Sequence, residues 1–326
     1  MTKKYLTTDN LVKSIERRAM LPLNRDTLTK QDIIDIMNEE LDLHLVPFLL
    51  SNHEEYLVNY SDYPLIAGDN NFIFKIPPRA VGNKLRMVSY LNDTGIVTKL
   101  TRIEPEDLVY FQRLGYQSFS YWVENDTIRL VNRYSIANAT KLRMHFAMSP
   151  SKLVEDKYSA KIVSIDGTTG TIVVDKIPSN FTNTGSYEFT GGDSPNKLIK
   201  YDVPALSINT VTKEMMFDPT SLKNIDYQLS ILNIGVGDII TVSGESIVPQ
   251  GIPTELHPLL AEMAAVHCLE ALGDLQNIQI AAARLQKMKE STSDLIDNRV
   301  EGSNQKINNL TSPMNQTRLR TNRGFW

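Results

Sequence analysis

The sequence predicts an α+β protein: a helical bundle from the N- and C-terminal helices, a large β-rich insertion of barrel or sandwich type, and an extended C-terminal arm. Three observations predict it. Apolar residues recur at three- and four-residue spacing near both ends. Between them Val, Ile, Thr and Tyr alternate with polar residues, punctuated by Pro and Gly. After Glu301 the chain is polar and carries no acidic residue. The implied segments are N-terminal helices at 1–62, a β-rich domain at 63–150, a hairpin or small-barrel insertion at 151–250, C-terminal helices at 251–301 and a docking arm at 302–326.

Thr8-Asp9-Asn10 caps a first helix over 11–20, with Leu11, Ile15 and Ala19 on one face and Pro22 as its stop. Thr29 caps a second helix, and Asp32 makes its first turn acidic. Its apolar stripe is Ile33, Ile36, Met37, Leu41, Leu45 and Phe48. Pro47 is expected to kink or break it. It then resumes to about 58. Strands are expected at 72–77 and 85–91, with Asn92-Asp93 beginning a turn. A hairpin over 120–131 turns at Asn125-Asp126, and 141–147 alternates cleanly. Residues 104–111 read as one short helix with Pro105 at its first position.

Ser164-Ile-Asp-Gly-Thr-Thr-Gly-Thr-Ile-Val-Val-Asp175 echoes Ser207-Ile-Asn-Thr-Val-Thr-Lys-Glu-Met-Met-Phe-Asp218. Both read strand, turn, strand, either as a duplication or as two ordinary hairpins. With a strand at 236–242 they imply a partly closed barrel or a small sandwich over 157–248. The last helical run carries Leu256, Leu259, Leu260, Met263, Leu269 and Leu272, and resumes through Leu275, Ile278, Ala282, Leu285 and Met288. Gly273 is either a C′ residue between two helices or a glycine within one. Ala281-Ala282-Ala283 allow another helix to approach closely.

Composition narrows the function. The 326 residues suffice for two or three domains and a sizeable core. A net charge of −4 and a pI near 5.8 argue against tight, sequence-independent binding of nucleic acid. The single cysteine, Cys268, lies in an apolar helical run and reads as a small core residue. No stretch approaches the roughly 18 apolar residues of a membrane span. The N-terminus has no apolar signal core, so a cytoplasmic protein is expected.

Motifs for chemistry are lacking. His44, His53, His145, His257 and His267 stand in no zinc-type spacing. His53-Glu54-Glu55 reads as an exposed helical turn. Gly191-Gly192-Asp193 is not a phosphate loop, and Gly167-Thr-Thr-Gly170 is a hairpin turn. No serine-hydrolase elbow occurs, and carboxylate pairs such as Glu39-Glu40 read as solvated faces. No catalytic, cofactor or metal residue is therefore assigned. The basic features are Arg17, Arg18 and the arm residues Lys306, Arg318, Arg320 and Arg323. With Phe325 and Trp326, the arm reads as a docking segment for a partner protein in preference to DNA. Arg17, Arg18, Ala281 and Ala282 are the candidate inter-subunit residues.

Three stretches together resemble the head–tail adaptor (connector or neck) proteins of tailed bacteriophages. The first is Ser14-Ile-Glu-Arg-Arg-Ala-Met-Leu-Pro22, with 32–47 and His53-Glu-Glu-Tyr56 after it. The second is Ile76-Pro-Pro-Arg-Ala-Val-Gly-Asn-Lys-Leu-Arg86, followed by Tyr121-Trp-Val-Glu-Asn-Asp-Thr-Ile-Arg-Leu130. The third runs from Gly237-Asp238 through Ile252-Pro-Thr-Glu-Leu-His-Pro-Leu-Leu-Ala261 to Leu269-Glu-Ala-Leu-Gly-Asp274. The chain departs from simple adaptors in the size of its β-rich insertion. The resemblance implies a non-enzymatic virion protein located in the neck: a homo-oligomeric ring, commonly dodecameric, under the portal. It further implies contact with tail or other neck proteins and a channel for passing double-stranded DNA, with no cofactor and no membrane. The alternative is another tail or fibre protein whose β domain binds a receptor, with Tyr116, Phe119, Tyr121 and Trp122 as its aromatic cluster.

Overall fold

The computed structural model describes residues 6–20, 28–52, 54–65, 72–92, 95–107, 120–131, 139–192, 198–222 and 234–295. The predicted arm at 302–326 lies outside them. So do Pro22, His53, Asp93, Tyr116, Phe119 and the second half of the helix expected at 104–111.

Helix α1 (Thr8–Arg18) starts earlier than its cap signal implied. Thr8 is inside the helix and wholly buried, and its backbone N–H and Oγ1 both donate to the Ile247 carbonyl. Helix α2 (Lys30–Glu40) has the predicted start. Asp32 N–H donates to Thr29 Oγ1 at 3.2 Å, and Thr29 N–H donates to Asp32 Oδ2 at 2.7 Å. Pro47 does not break the run. A π-helical turn over Leu41–Leu45 precedes α3 (Val46–Asn52), and Val46 N–H reaches back to the Leu41 carbonyl. A proline ring crowds the carbonyl four residues upstream; the wider turn makes room for it.

The helix expected to continue to 58 ends at Asn52. After a 3-10 turn at Glu54–Tyr56 the chain enters β1 (Val58–Pro64). Here a long-range partner decides, because every residue of β1 pairs with a strand more than seventy positions away. The strands that follow are β2 (Ile73–Lys75), β3 (Ala80–Asn92), β4 (Val97–Lys99), β5 (Thr101–Arg102), β6 (Ser120–Glu124), β7 (Thr127–Leu130) and β8 (Ala139–Met148). They form two four-stranded sheets, β1-β8-β3-β4 and β2-β7-β6-β5. Tyr90, Tyr121, Ile128, Leu142, Met144 and Phe146 belong to one core contributed by both sheets. Tyr121 is thus core, Trp122 is half-buried, and the Asn125 turn has its left-handed residue, φ 55°. Of the 104–111 helix, a 3-10 turn at Pro105–Asp107 is described.

Next come β9 (Lys152–Leu153), β10 (Ala160–Asp166), β11 (Thr171–Val174), β12 (Ser186–Thr190), β13 (Leu198–Asn209), β14 (Glu214–Phe217), β15 (Ile239–Val242) and β16 (Glu245–Ser246). Six of them close a barrel in the order β10-β11-β14-β13-β12-β15, filled by Ile162, Ile172, Tyr187, Phe189, Met215, Phe217 and Ile240. The two echoing segments are equivalent hairpins joined through β11 and β14. Asp166 Oδ1 accepts Thr168 N–H, and Asn209 Oδ1 accepts Val211 N–H. Gly170 and Lys213 occupy the same left-handed position, φ 73° and 57°. Each first strand carries a bulge, at Val163 and at Leu206.

The last described elements are α4 (His257–Leu272) and α5 (Leu275–Leu295). Gly273, at φ 71°, is the C-cap between them. Its N–H donates to the Glu270 carbonyl, and Asp274 N–H donates to that of Leu269. Helix α4 is apolar on nearly every side and buried, with Leu259, Leu260, Ala264, Ala265 and Cys268 fully inside. It touches α1, α2 and α5.

Candidate functional site

Helix α4 carries a carboxylate inside the core. Glu262 is wholly buried and pairs with Arg18 of α1 and Arg284 of α5. A carboxylate this deep is tolerable only when compensated, and two guanidiniums from opposite ends of the sequence supply that. Arg18 also donates from Nε to Ser14 Oγ. Arg17 faces outward, its Nε on the Lys13 carbonyl. Ala281 is buried and Ala282 exposed. Of the four expected boundary residues, Arg18 and Ala281 are therefore used inside the chain, because α4 needs a counter-charge and a close helix neighbour. Arg17 and Ala282 remain on the surface. Lys306, Arg318, Arg320, Arg323, Phe325 and Trp326 lie outside the described residues.

A second buried carboxylate stands where the barrel meets the rest of the fold. Glu188 of β12 pairs with Arg79, from the turn before β3. It also accepts from Ser151 Oγ at 2.6 Å, Gly244 N–H at 2.8 Å and Gln250 Nε2 at 3.3 Å. Arg79 donates to the Ser149 carbonyl at 3.0 Å and to Ser151 Oγ at 2.7 Å. The group fixes the barrel's seating through four side chains, Arg79, Ser151, Glu188 and Gln250, and the Gly244 backbone. Neither carboxylate was predicted from sequence. The only local signal was a glutamate within an apolar run: Glu262 in Leu259–Ala265, and Glu188 between Tyr187 and Phe189.

The histidines divide by surroundings. Glu40 bridges two of them, its Oε2 2.9 Å from His44 Nδ1 and its Oε1 3.1 Å from His267 Nδ1. His145 is held below the ordinary imidazole range by burial, then by Arg143. His257, at the start of α4, is fully buried, with the Ile252 backbone beside its ring. Burial pushes it down to about 4. Among the described residues no cluster of three or more His, Cys, Asp or Glu side chains is arranged to hold a metal ion, and no helix is long and apolar enough to cross a membrane.

A groove of about 390 Å³ lies between α3, β1, β3 and β8. Leu50, Val58, Val81, Leu85 and Ala147 give it apolar walls, and Lys84 and Arg86 give it positive charge. It exists because β3 leaves its partner: Ala80 pairs with Met148 and pairing resumes at Leu85. Gly82 and Asn83, at φ 60° and 53°, arch the chain off the sheet between those points. No protein-family model matches the chain, and no curated protein matches it.

Proposed function

We propose that this protein is a structural virion component, a head–tail adaptor that forms a ring beneath the portal, extends the DNA channel and gives tail proteins a platform. The observation that carries the reading is the packing of α1 and α2 with α4 in one helical body. Helix α4 is buried against α1 and α2, and the β-rich region leaves that body at Val58 and returns to it before His257. A stiff bundle suits a ring wall, and the outward Arg17 and Ala282 suit a lateral contact. The arm, with Lys306, Arg318, Arg320, Arg323, Phe325 and Trp326, docks on the portal. Its ordering free energy is then met only when the portal is present, which sets assembly order. A net charge of −4 suits a channel through which DNA has to slide.

A second reading, another tail or fibre protein, draws on the barrel. The turn between β13 and β14 projects Val211, 88% exposed, and the outer face shows Leu206 and Met216. Such a surface suits receptor binding. Mass photometry separates the readings. Full-length protein and a chain truncated at Gly302 are each mixed with the portal encoded beside it. The adaptor reading predicts a fixed, ring-sized addition to the portal by the full-length chain alone. Binding by neither form, with trimers of the chain by itself, would replace it with the fibre reading.

A further inference from the structure

The groove and the corner between α4 and α5 are complementary. At the corner Glu270, Ala271 and Leu272 are exposed, and Leu275 is 77% exposed. A Cβ placed on Gly273 would meet nothing within 4 Å, so the turn stands open to solvent. Asp274 caps α5, accepting Asn277 N–H at 3.2 Å and Asn277 Nδ2 at 2.6 Å, and adds a second negative charge. From Glu270 to Ala283 the sequence contains no cation. The corner is thus a knob of two leucines flanked by carboxylates.

The groove has the opposite character. Its walls are aliphatic, its charged lining residues are Lys84 and Arg86, and no carboxylate is among the described residues lining it. Its volume of about 390 Å³ is ample for a few side chains. Single exposed leucines need no explanation on a surface. Two of them on an open turn, with a charge pattern inverse to that of a groove on the same molecule, do.

We infer that the α4–α5 corner of one copy seats in the β3 groove of the next. Leu272 and Leu275 enter the apolar walls, while Glu270 and Asp274 face Lys84 and Arg86. This rests on the ring reading and names the surfaces that build the ring. Knob and groove are different patches, so the contact is heterologous: each copy offers both, and the assembly propagates until it closes.

Cross-linking tests it cleanly, because the chain's one cysteine, Cys268, is buried. The double variant K84C/L275C, treated with a short bis-maleimide, gives a ladder of covalent oligomers up to the ring. K84C or L275C alone gives none, and a mixture of the two single variants stops at dimers. Mass photometry of the unmodified protein, with and without portal, runs in parallel. If that protein assembles but the double variant gives no ladder, the corner–groove contact is wrong and the ring reading stands. If it stays monomeric in both conditions, the ring reading fails and takes the contact with it. A charge exchange provides an independent readout: E270K and K84E each weaken assembly several-fold, and the two together restore it. Assembly unaffected by either single variant overturns the proposal.

Discussion

The helical body and the barrel solve the same problem, burial of a continuous chain, by opposite means. In the barrel the decisive features are local and occur twice. Each hairpin has its bulge, its Asp or Asn turn and its left-handed residue at matching positions. In the helical body the decisive feature is one charge, Glu262, compensated by residues 244 positions upstream and 22 downstream. Local solutions are robust and repeatable, whereas a compensated buried charge fails when either neighbour is removed.

The largest expected effect comes from stripping Glu262 of both partners. R18M/R284M leaves a carboxylate uncompensated in the core and lowers the unfolding free energy by about 3–5 kcal/mol, measured by urea denaturation. Adding E262L returns most of it. A triple variant as unstable as the double would show that helix packing, and not charge, is what the pair of arginines secures.

Next in size is the contrast inside the barrel. A Cβ at Gly170 would lie 2.1 Å from the Phe217 carbonyl oxygen, at a φ that already favours glycine. G170A is therefore expected to lose about 3 kcal/mol. At the equivalent Lys213 a side chain is tolerated and its Nζ reaches the Asp175 carbonyl, so K213A should stay within about 0.5 kcal/mol. Equal losses at the two sites would remove that contrast and the close approach at Gly170 as its cause.

His257 gives the helical body a pH dependence. Its imidazole titrates near 6.5 when exposed and about 4 when folded, through burial. Between those values the unfolded chain binds a proton that the folded chain rejects. Stability is therefore fully present above 6.5, falls as pH drops toward 4, and loses about 3 kcal/mol from this residue. Denaturation curves of wild type and H257L at pH 7 and 4.5 isolate it, and parallel losses in both proteins would remove His257 as the cause. A smaller loss is expected at Gly273: open space surrounds it, so G273A meets only backbone strain, about 1 kcal/mol by urea denaturation.

The same contrast explains what the sequence disclosed. Turn and cap chemistry is short-range, so Thr29 with Asp32, the Asn125 turn and the echo between the two barrel hairpins were readable residue by residue. The α+β class followed from periodicity. Burial of Glu188 and Glu262 was not readable, because their arginines arrive through the fold. The strand at Val58–Pro64 overlaps the segment predicted as helical, because its antiparallel partner lies far away at Ala139–Met148. The π turn before Pro47 and the arch at Gly82 and Asn83 were missed as well. Each is a local distortion that the surrounding structure imposes, and the arch creates the groove on which the proposed ring contact depends.

Electron microscopy of the full-length chain bound to the portal tests the central claim most directly. The adaptor account predicts end-on views with rotational symmetry about a central opening coaxial with the portal's, and an added layer in side views. Portal particles that gain no layer, beside free trimers or monomers of the chain, would contradict it.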